Sequence, residues 1–274
     1  MKLNNQEGND LIKKYLKEEK TFAVSRIGIG GETMACYNIS NNYSLNNNIL
    51  SQLHINAGFY GDCYEDFYKE YSSGISCADI QVQWDGYLTE VQNYLFGKYS
   101  NNSIKVSNRA IEPFYFDNPW SEELKGKKVL IIYPFSETIK KQYKNREKLW
   151  TNPNVLPDFE LLTYKTVQSI GGIGPHKDWK ESLEIMKNDI SKLDFDVALL
   201  GCGSYGLPLV NYIKTELGKT AIYIGGGLQV LFGIKGKRWD THSDVSKMYN
   251  EHWVRPLNEE TPIDYRKVEN GCYW

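Results

Sequence analysis

From Lys127 onward, short apolar runs alternate with amphipathic stretches at a spacing that few architectures accommodate. KKVLIIYPF (127–135) is a buried-strand run, and FELLTYKTV (159–167), DVALLGCG (196–203) and KTAIYIGGG (219–227) read as strands. Between them ETIKKQYKNREKLW (137–150), DWKESLEIMKNDISKL (178–193) and YGLPLVNYIKTELG (205–218) carry the apolar period of helices. Strand–helix–strand units of this length cross over right-handed into a parallel sheet that needs helices on its faces. The expected fold is therefore α/β and Rossmann-like, a mostly parallel sheet flanked by helices.

The upstream part is richer in helix signals. DLIKKYLKEE reads as an amphipathic opening helix, TFAVSRIG as a strand, GETMACYNIS as a helix entered through a glycine turn, and NISNNYSLNNN as an Asn-rich loop. LSQLHINAGFY, DCYEDFYKEYSSG and GYLTEVQNYLFGKY read as helices, ADIQVQW as a short strand and EPFYFDNPW as a loop. At 274 residues the chain suits one α/β domain, with a helix-rich part over 1–126, a regular β/α part over 127–240 and a C-terminal tail over 241–274 that carries no assignable element.

Composition removes several classes of function. No run reaches the roughly 20 apolar residues of a membrane span, and the polar start MKLNNQEGNDLIKKYLKEEK lacks a signal core. The expected location is the cytoplasm. A formal charge of −2 gives no general affinity for nucleic acid. The five cysteines are odd in number and form no CxxC, and the four histidines form no HExxH, so neither a disulfide framework nor a zinc site is indicated. The 20 tyrosines and 7 tryptophans suit cores and interfaces as well as sugar-stacking surfaces.

Three strand ends are rich in glycine: RIGIGGE, GCGSYG and IGGGLQ. In open parallel sheets ligands bind beyond the carboxyl ends of strands, where glycine lets the backbone approach a phosphate closely. The candidate donor-binding residues are Arg26, Gly28, Gly30 and Gly31 from the first end, Gly201, Gly203, Ser204 and Tyr205 from the second, and Gly225, Gly226, Gly227 and Gln229 from the third. Lys235 and Arg238 follow directly, cations suited to a diphosphate. GCGSYG has the GxGxxG spacing of a dinucleotide or S-adenosylmethionine turn, yet the next strand ends in glycines where an acidic ribose ligand would stand.

These pieces together resemble the GT-D-type glycosyltransferases of bacterial surface-glycan assembly. RIGIGGE is similar to that family's Arg-aromatic/aliphatic-Gly-Asp-Gly-Glu signature, and VALLGCGSYGLPLVNYIKTELG with KTAIYIGGG is similar to its C-terminal glycine-rich strand–helix–strand. Arg26, Ile27 and Gly28 match the first half of the signature, and Gly31 and Glu32 its end. Ile29 stands where the family has aspartate, with Gly30 as an extra residue, so of the Asp-x-Glu pair only the glutamate remains. The resemblance implies a nucleotide-diphosphate-sugar donor and a divalent cation held by that pair. A Mg²⁺ or Mn²⁺ bound through the donor phosphates normally takes at least one or two carboxylates, of which this turn keeps one, and the metal site is unknown.

The resulting expectation is transfer of a sugar from a nucleotide diphosphate to a surface polysaccharide, a capsule glycan, a lipid-linked glycan or a glycoprotein, without nucleic acid or a membrane span. Glu32, Asp85 and Asp178 are the candidate catalytic carboxylates. Asp85 in QWDGY and Asp178 in HKDWK also read as helix N-caps, as does Ser136. Two other readings stand beside this one. They are an S-adenosylmethionine-dependent methyltransferase using GCGSYG, and a non-catalytic sugar- or nucleotide-binding protein that kept the fold.

Overall fold

The computed structural model describes residues 2–169 and 172–274. Eight strands form one sheet: β1 (Lys2–Leu3), β2 (Ala23–Arg26), β3 (Ile80–Val82), β4 (Ile104–Val106), β5 (Lys128–Tyr133), β6 (Glu160–Lys165), β7 (Val197–Leu200) and β8 (Thr220–Tyr223). Their order is β1-β4-β3-β2-β8-β7-β5-β6, and every pairing among the described residues is parallel. The strands of the upstream part thus continue the sheet of the regular part, through the pairing of β2 with β8.

Two apolar cores lie on the two faces. Along β5, Val129 and Ile131 enter one core, and Leu130 and Ile132 the other. That alternation with no polar face is the pattern of a strand covered on both sides. Truncating one such residue, Ile131→Ala for example, costs about 2–5 kcal/mol. The helices are α1 (Asn5–Lys17), α2 (Gly31–Ser40), α3 (Asn47–Ser51), α4 (Tyr64–Ser76), α5 (Thr89–Tyr99), α6 (Ser136–Tyr143), α7 (Arg146–Leu149), α8 (Trp179–Ile190), α9 (Gly206–Thr215), α10 (Gly227–Leu231) and α11 (Lys237–Asp240). α1, α6, α7 and α10 contribute to the first core, and α2, α3, α4, α5, α8 and α9 to the second.

Local chemistry sets several boundaries. α1 starts before Asp10 because Asn4 and Glu7 form a reciprocal capping box, each side chain accepting from the other's N–H at 2.9 Å. The stretch expected as one helix over 137–150 is two, since Asn145 leaves helical geometry between α6 and α7. Tyr143 marks that break: its ring stacks on Phe159, and its hydroxyl donates to the Phe159 carbonyl at 2.9 Å.

The tail beyond residue 241 is a series of short turns that packs on α6 and α7 and ends at the carboxyl ends of the strands with Val268, Glu269, Tyr273 and Trp274. Its Glu260, 2% exposed, accepts from the N–H groups of Glu137 (2.7 Å) and Thr138 (3.1 Å). A carboxylate from the tail therefore caps α6 in place of Ser136, which lies inside the first turn. Trp253 is buried and donates to the Leu149 carbonyl at 3.1 Å.

Candidate active site

The strand order reverses at the centre of the sheet. β2, β3 and β4 run outward to one side, β8 returns beside β2, and β5 has β6 on one flank and β7 on the other. At the carboxyl ends of β2, β5, β6, β7 and β8 the turns leave a cleft of about 400 Å³. That is the place and size expected for a small-molecule site in an open α/β sheet. The segment 52–58 and tail residues Val268, Glu269, Tyr273 and Trp274 complete its walls.

All three glycine-rich ends reach this cleft. Its lining includes Arg26, Gly28, Gly30, Gly31 and Glu32 after β2, Gly201, Gly203 and Tyr205 after β7, and Gly225 and Gly226 after β8, with Arg238 opposite. The turn after β2 is held rigidly. Thr33 donates to the Gly28 carbonyl at 2.5 Å, and the Gly28 N–H donates to the buried Tyr71 hydroxyl at 3.1 Å. Gly31 admits the backbone of Leu53 at the start of α2, so it serves close packing of backbone on backbone.

Other glycines admit the charged side chains of the site. A Cβ on Gly28 would lie 2.5 Å from a Glu32 carboxylate oxygen, one on Gly225 would strike the Arg26 guanidinium, and one on Gly227 would lie 2.8 Å from a Glu112 oxygen. Gly225 also needs its positive φ of 72°. The glycines thus seat Glu32, Arg26 and Glu112 flat against the main chain, where the sequence suggested only room for phosphate.

Arg26 is the centre of this arrangement. Its Nε donates to Asn108 Oδ1 at 2.8 Å, and its guanidinium lies 4.4 Å from the Trp84 ring centre. Among the described residues it joins no salt bridge, and its outer nitrogens remain available to a ligand. Loss of water raises the Glu32 carboxyl above its ordinary value, against its own backbone N–H and the Arg26 charge, which lower it. Glu112 is 7% exposed, and burial lifts its carboxyl to about 7 against the opposing pull of Arg26, Asn108 and Arg109. Sequence reasoning missed Asn108 and Glu112. The available signal was a carboxylate inside the apolar run AIEPF.

The second cation of the cleft is already engaged. Arg238 pairs with Glu269 and donates to the Tyr273 hydroxyl at 3.4 Å, with its guanidinium 4.6 Å from the Tyr273 ring centre. Cys202 also lines the cleft, but burial pushes its thiol far up and leaves it a poor nucleophile.

Six of the residues picked from sequence lie outside the lining. Asp85 extends to Lys2 at 2.6 Å and is exposed; it does not cap α5, whose N-cap position is Leu88. Asp178 does cap α8, accepting from the Glu181 N–H at 2.9 Å. Ser204 is buried and accepts from the Trp179 indole at 2.9 Å, and the Ser204 N–H is bound to the Ala57 carbonyl. Gly227 faces Glu112. Gln229 is buried, accepting from the Tyr133 hydroxyl at 3.1 Å and donating to the Tyr273 carbonyl at 3.2 Å. Lys235 lies over the Tyr249 ring, 5.2 Å from its centre.

The donor set for a divalent cation is thin. The carboxylates lining the cleft are Glu32 and Glu269, the latter bound to Arg238, and Arg26 adds positive charge beside Glu32. Among the described residues no group of three or more His, Cys, Asp or Glu is placed to hold a metal. These residues do not fit a metal centre built by the protein alone.

A parallel α/β sheet with a cleft at its switch region and helices on both faces defines a Rossmann-like α/β fold. Residues 106–231, somewhat under half of the chain, match the family model described as a GT-D fold-like domain. Over that segment the chain is similar to a GT-D fold-like domain. The match spans β5 to α10 with Asn108 and Glu112, and begins after the Arg26–Glu32 turn. No curated protein and no solved structure matches the chain. Among the described residues no helix is long and apolar enough to cross a membrane.

Proposed function

We propose that the chain is a glycosyltransferase whose cleft takes a nucleotide-diphosphate sugar and transfers the sugar to a hydroxyl of a glycan acceptor. The observation that carries this reading is the convergence of the three glycine-rich turns, Arg26 and Glu32 on one cleft at the carboxyl ends of the strands. Similarity to a GT-D fold-like domain over 106–231 supports it.

In this reading Arg26 holds the diphosphate through its outer nitrogens, and the strand-end turns carry it on their backbone. The acceptor oxygen forms a bond to the anomeric carbon. The bond from that carbon to the phosphate oxygen breaks, and its electron pair leaves with the nucleoside diphosphate. The acceptor proton passes to Glu32, whose desolvated carboxyl has the raised proton affinity of a general base. Glu32 is committed to the acceptor proton, so no step of this reading runs through a divalent cation.

Capsule or other surface polysaccharide, lipid-linked glycan and glycoprotein are the acceptor classes consistent with this reading, and the cytoplasm is the compartment that supplies such donors. Methyl transfer is less favoured. The Ser204 amide that a GxGxxG turn would offer to S-adenosylmethionine is bound to Ala57.

Thermal unfolding with uridine, guanosine and cytidine diphosphates, each with and without Mn²⁺, and with S-adenosylmethionine tests the reading. A ligand at 100 times its dissociation constant adds about 2.7 kcal/mol of stability. Stabilisation by at least one nucleoside diphosphate is expected. Stabilisation by S-adenosylmethionine alone would replace this reading with the methyltransferase. Nucleotide binding without transfer to any glycan would favour a binding protein of the same fold.

A further inference from the structure

The loop between β3 and α5 is built around a buried amide. Gln92, 1% exposed, accepts from the Trp84 N–H at 2.8 Å and donates to the carbonyls of Trp84 (3.1 Å) and Tyr87. The Trp84 indole donates to the Ile27 carbonyl at 2.9 Å, tying the loop to the turn after β2. Gly86 and Leu88, on either side of Tyr87, have φ of 67° and 46°. For Leu88 that is a conformation side chains rarely adopt. Asp85 is turned away toward Lys2.

This fixed loop presents Tyr87 to the cleft. Its side chain lines the cleft together with Ile29 of the facing turn, and the two are 49% and 46% exposed. Two large hydrophobic side chains stand open to water on the lining of a cleft that also holds Arg26 and Glu32, one of them a flat ring with a polar tip. A backbone held by three hydrogen bonds to Gln92 fixes the point from which that ring is presented, which lowers the ordering cost of binding.

We propose that Tyr87, backed by Ile29, is the stacking platform for the acceptor's terminal sugar ring. The inference rests on the donor reading of the same cleft. The diphosphate belongs at the strand ends beside Arg26, and the half-open lip beyond it leaves a longer glycan free to extend into water. A pyranose offers a face of C–H groups to the ring and hydroxyls to the polar groups around it, and Glu32 lines the same cleft.

The test uses ligand-observed saturation-transfer NMR with the methyl glycosides of glucose, galactose, N-acetylglucosamine and rhamnose, with and without a saturating nucleoside diphosphate. Wild-type protein, Tyr87→Ala, Tyr87→Phe and the control Tyr43→Ala, an exposed tyrosine outside the cleft lining, are compared. At least one glycoside is expected to bind wild type. Its affinity should fall tenfold or more in Tyr87→Ala and persist in Tyr87→Phe and Tyr43→Ala, while nucleotide affinity changes less than twofold. No glycoside binding to wild type, or equal binding to Tyr87→Ala, would overturn the proposal. A loss of nucleotide affinity in Tyr87→Ala would assign the platform to the nucleobase and overturn it as well. Absence of nucleotide binding to wild type would instead sink the donor reading, and the glycoside measurements without nucleotide would still decide the role of Tyr87.

Discussion

Replacing Glu112 with glutamine isolates the electrostatic cost of the buried carboxyl behind Arg26. In the folded protein that carboxyl titrates at about 7, against an ordinary value of 4.5. Below 4.5 the folded and unfolded chains both hold the proton, so the group contributes no pH dependence. Between 4.5 and 7 the unfolded chain releases the proton and the folded one keeps it, so stability falls as pH rises. Above 7 both have released it and the loss is complete. At 1.36 kcal/mol per unit the loss is on the order of 3 kcal/mol. Glutamine keeps the shape and carries no such titration. Urea unfolding of both proteins from pH 4.5 to 8.5 gives the difference directly, with other titrating groups cancelling. Tested in this way, the variant should gain about 3 kcal/mol on wild type across that range. A difference flat to within about 0.5 kcal/mol, comparable to ordinary surface substitutions, would refute the burial argument. A difference of opposite sign would mean that Arg26 holds Glu112 ionised in the folded state.

Four further outcomes are expected. Glu32→Gln should keep the fold, with unfolding near neutral pH no easier than in wild type because a desolvated carboxylate is removed, and lower transfer by about 10²-fold or more; in wild type the acid limb of the rate profile should lie above the ordinary carboxyl range, because the raised group must lose its proton to act as base. Gly31→Ala drives a Cβ into the backbone of Leu53, so the melting temperature should drop, with a cost of about 1–3 kcal/mol, and any loss of nucleotide binding should track that drop. Gly225→Ala should weaken nucleoside diphosphate binding in calorimetry, since the new Cβ displaces the Arg26 guanidinium and the positive φ resists a side chain. Glu269→Gln removes the carboxylate that holds Arg238, and diphosphate affinity measured at low salt should rise about threefold or more.

The regular part of the fold was open to sequence reading because β5, β7 and β8 are covered on both faces and therefore appear as unbroken apolar runs. β1 and β4 were not, since two and three residues are too few to show a period, and they exist through pairing with each other and with β3. The convergence of the glycine turns followed from the rule for parallel sheets. What each glycine faces did not, because Glu32, Arg26 and Glu112 come to Gly28, Gly225 and Gly227 mostly from distant positions in the chain. Asp85 and Asp178 show the limit of reading carboxylates by their neighbours. Flanking aromatics and helix starts fix the local turn, but whether the side chain points into the cleft is decided by partners such as Lys2. The tail escaped altogether, since its short turns show no period and are held by partners distant in the chain, such as α6 for Glu260 and Gln229 for Tyr273.

The most direct measurement is a crystal structure with the nucleoside diphosphate that stabilises the protein most. Its phosphates should lie within hydrogen-bond distance of Arg26, between the turns after β2, β7 and β8, with the nucleoside inside the same cleft. Phosphates bound elsewhere on the protein, or an Arg26 that keeps its present contacts with no ligand beside it, would contradict the account.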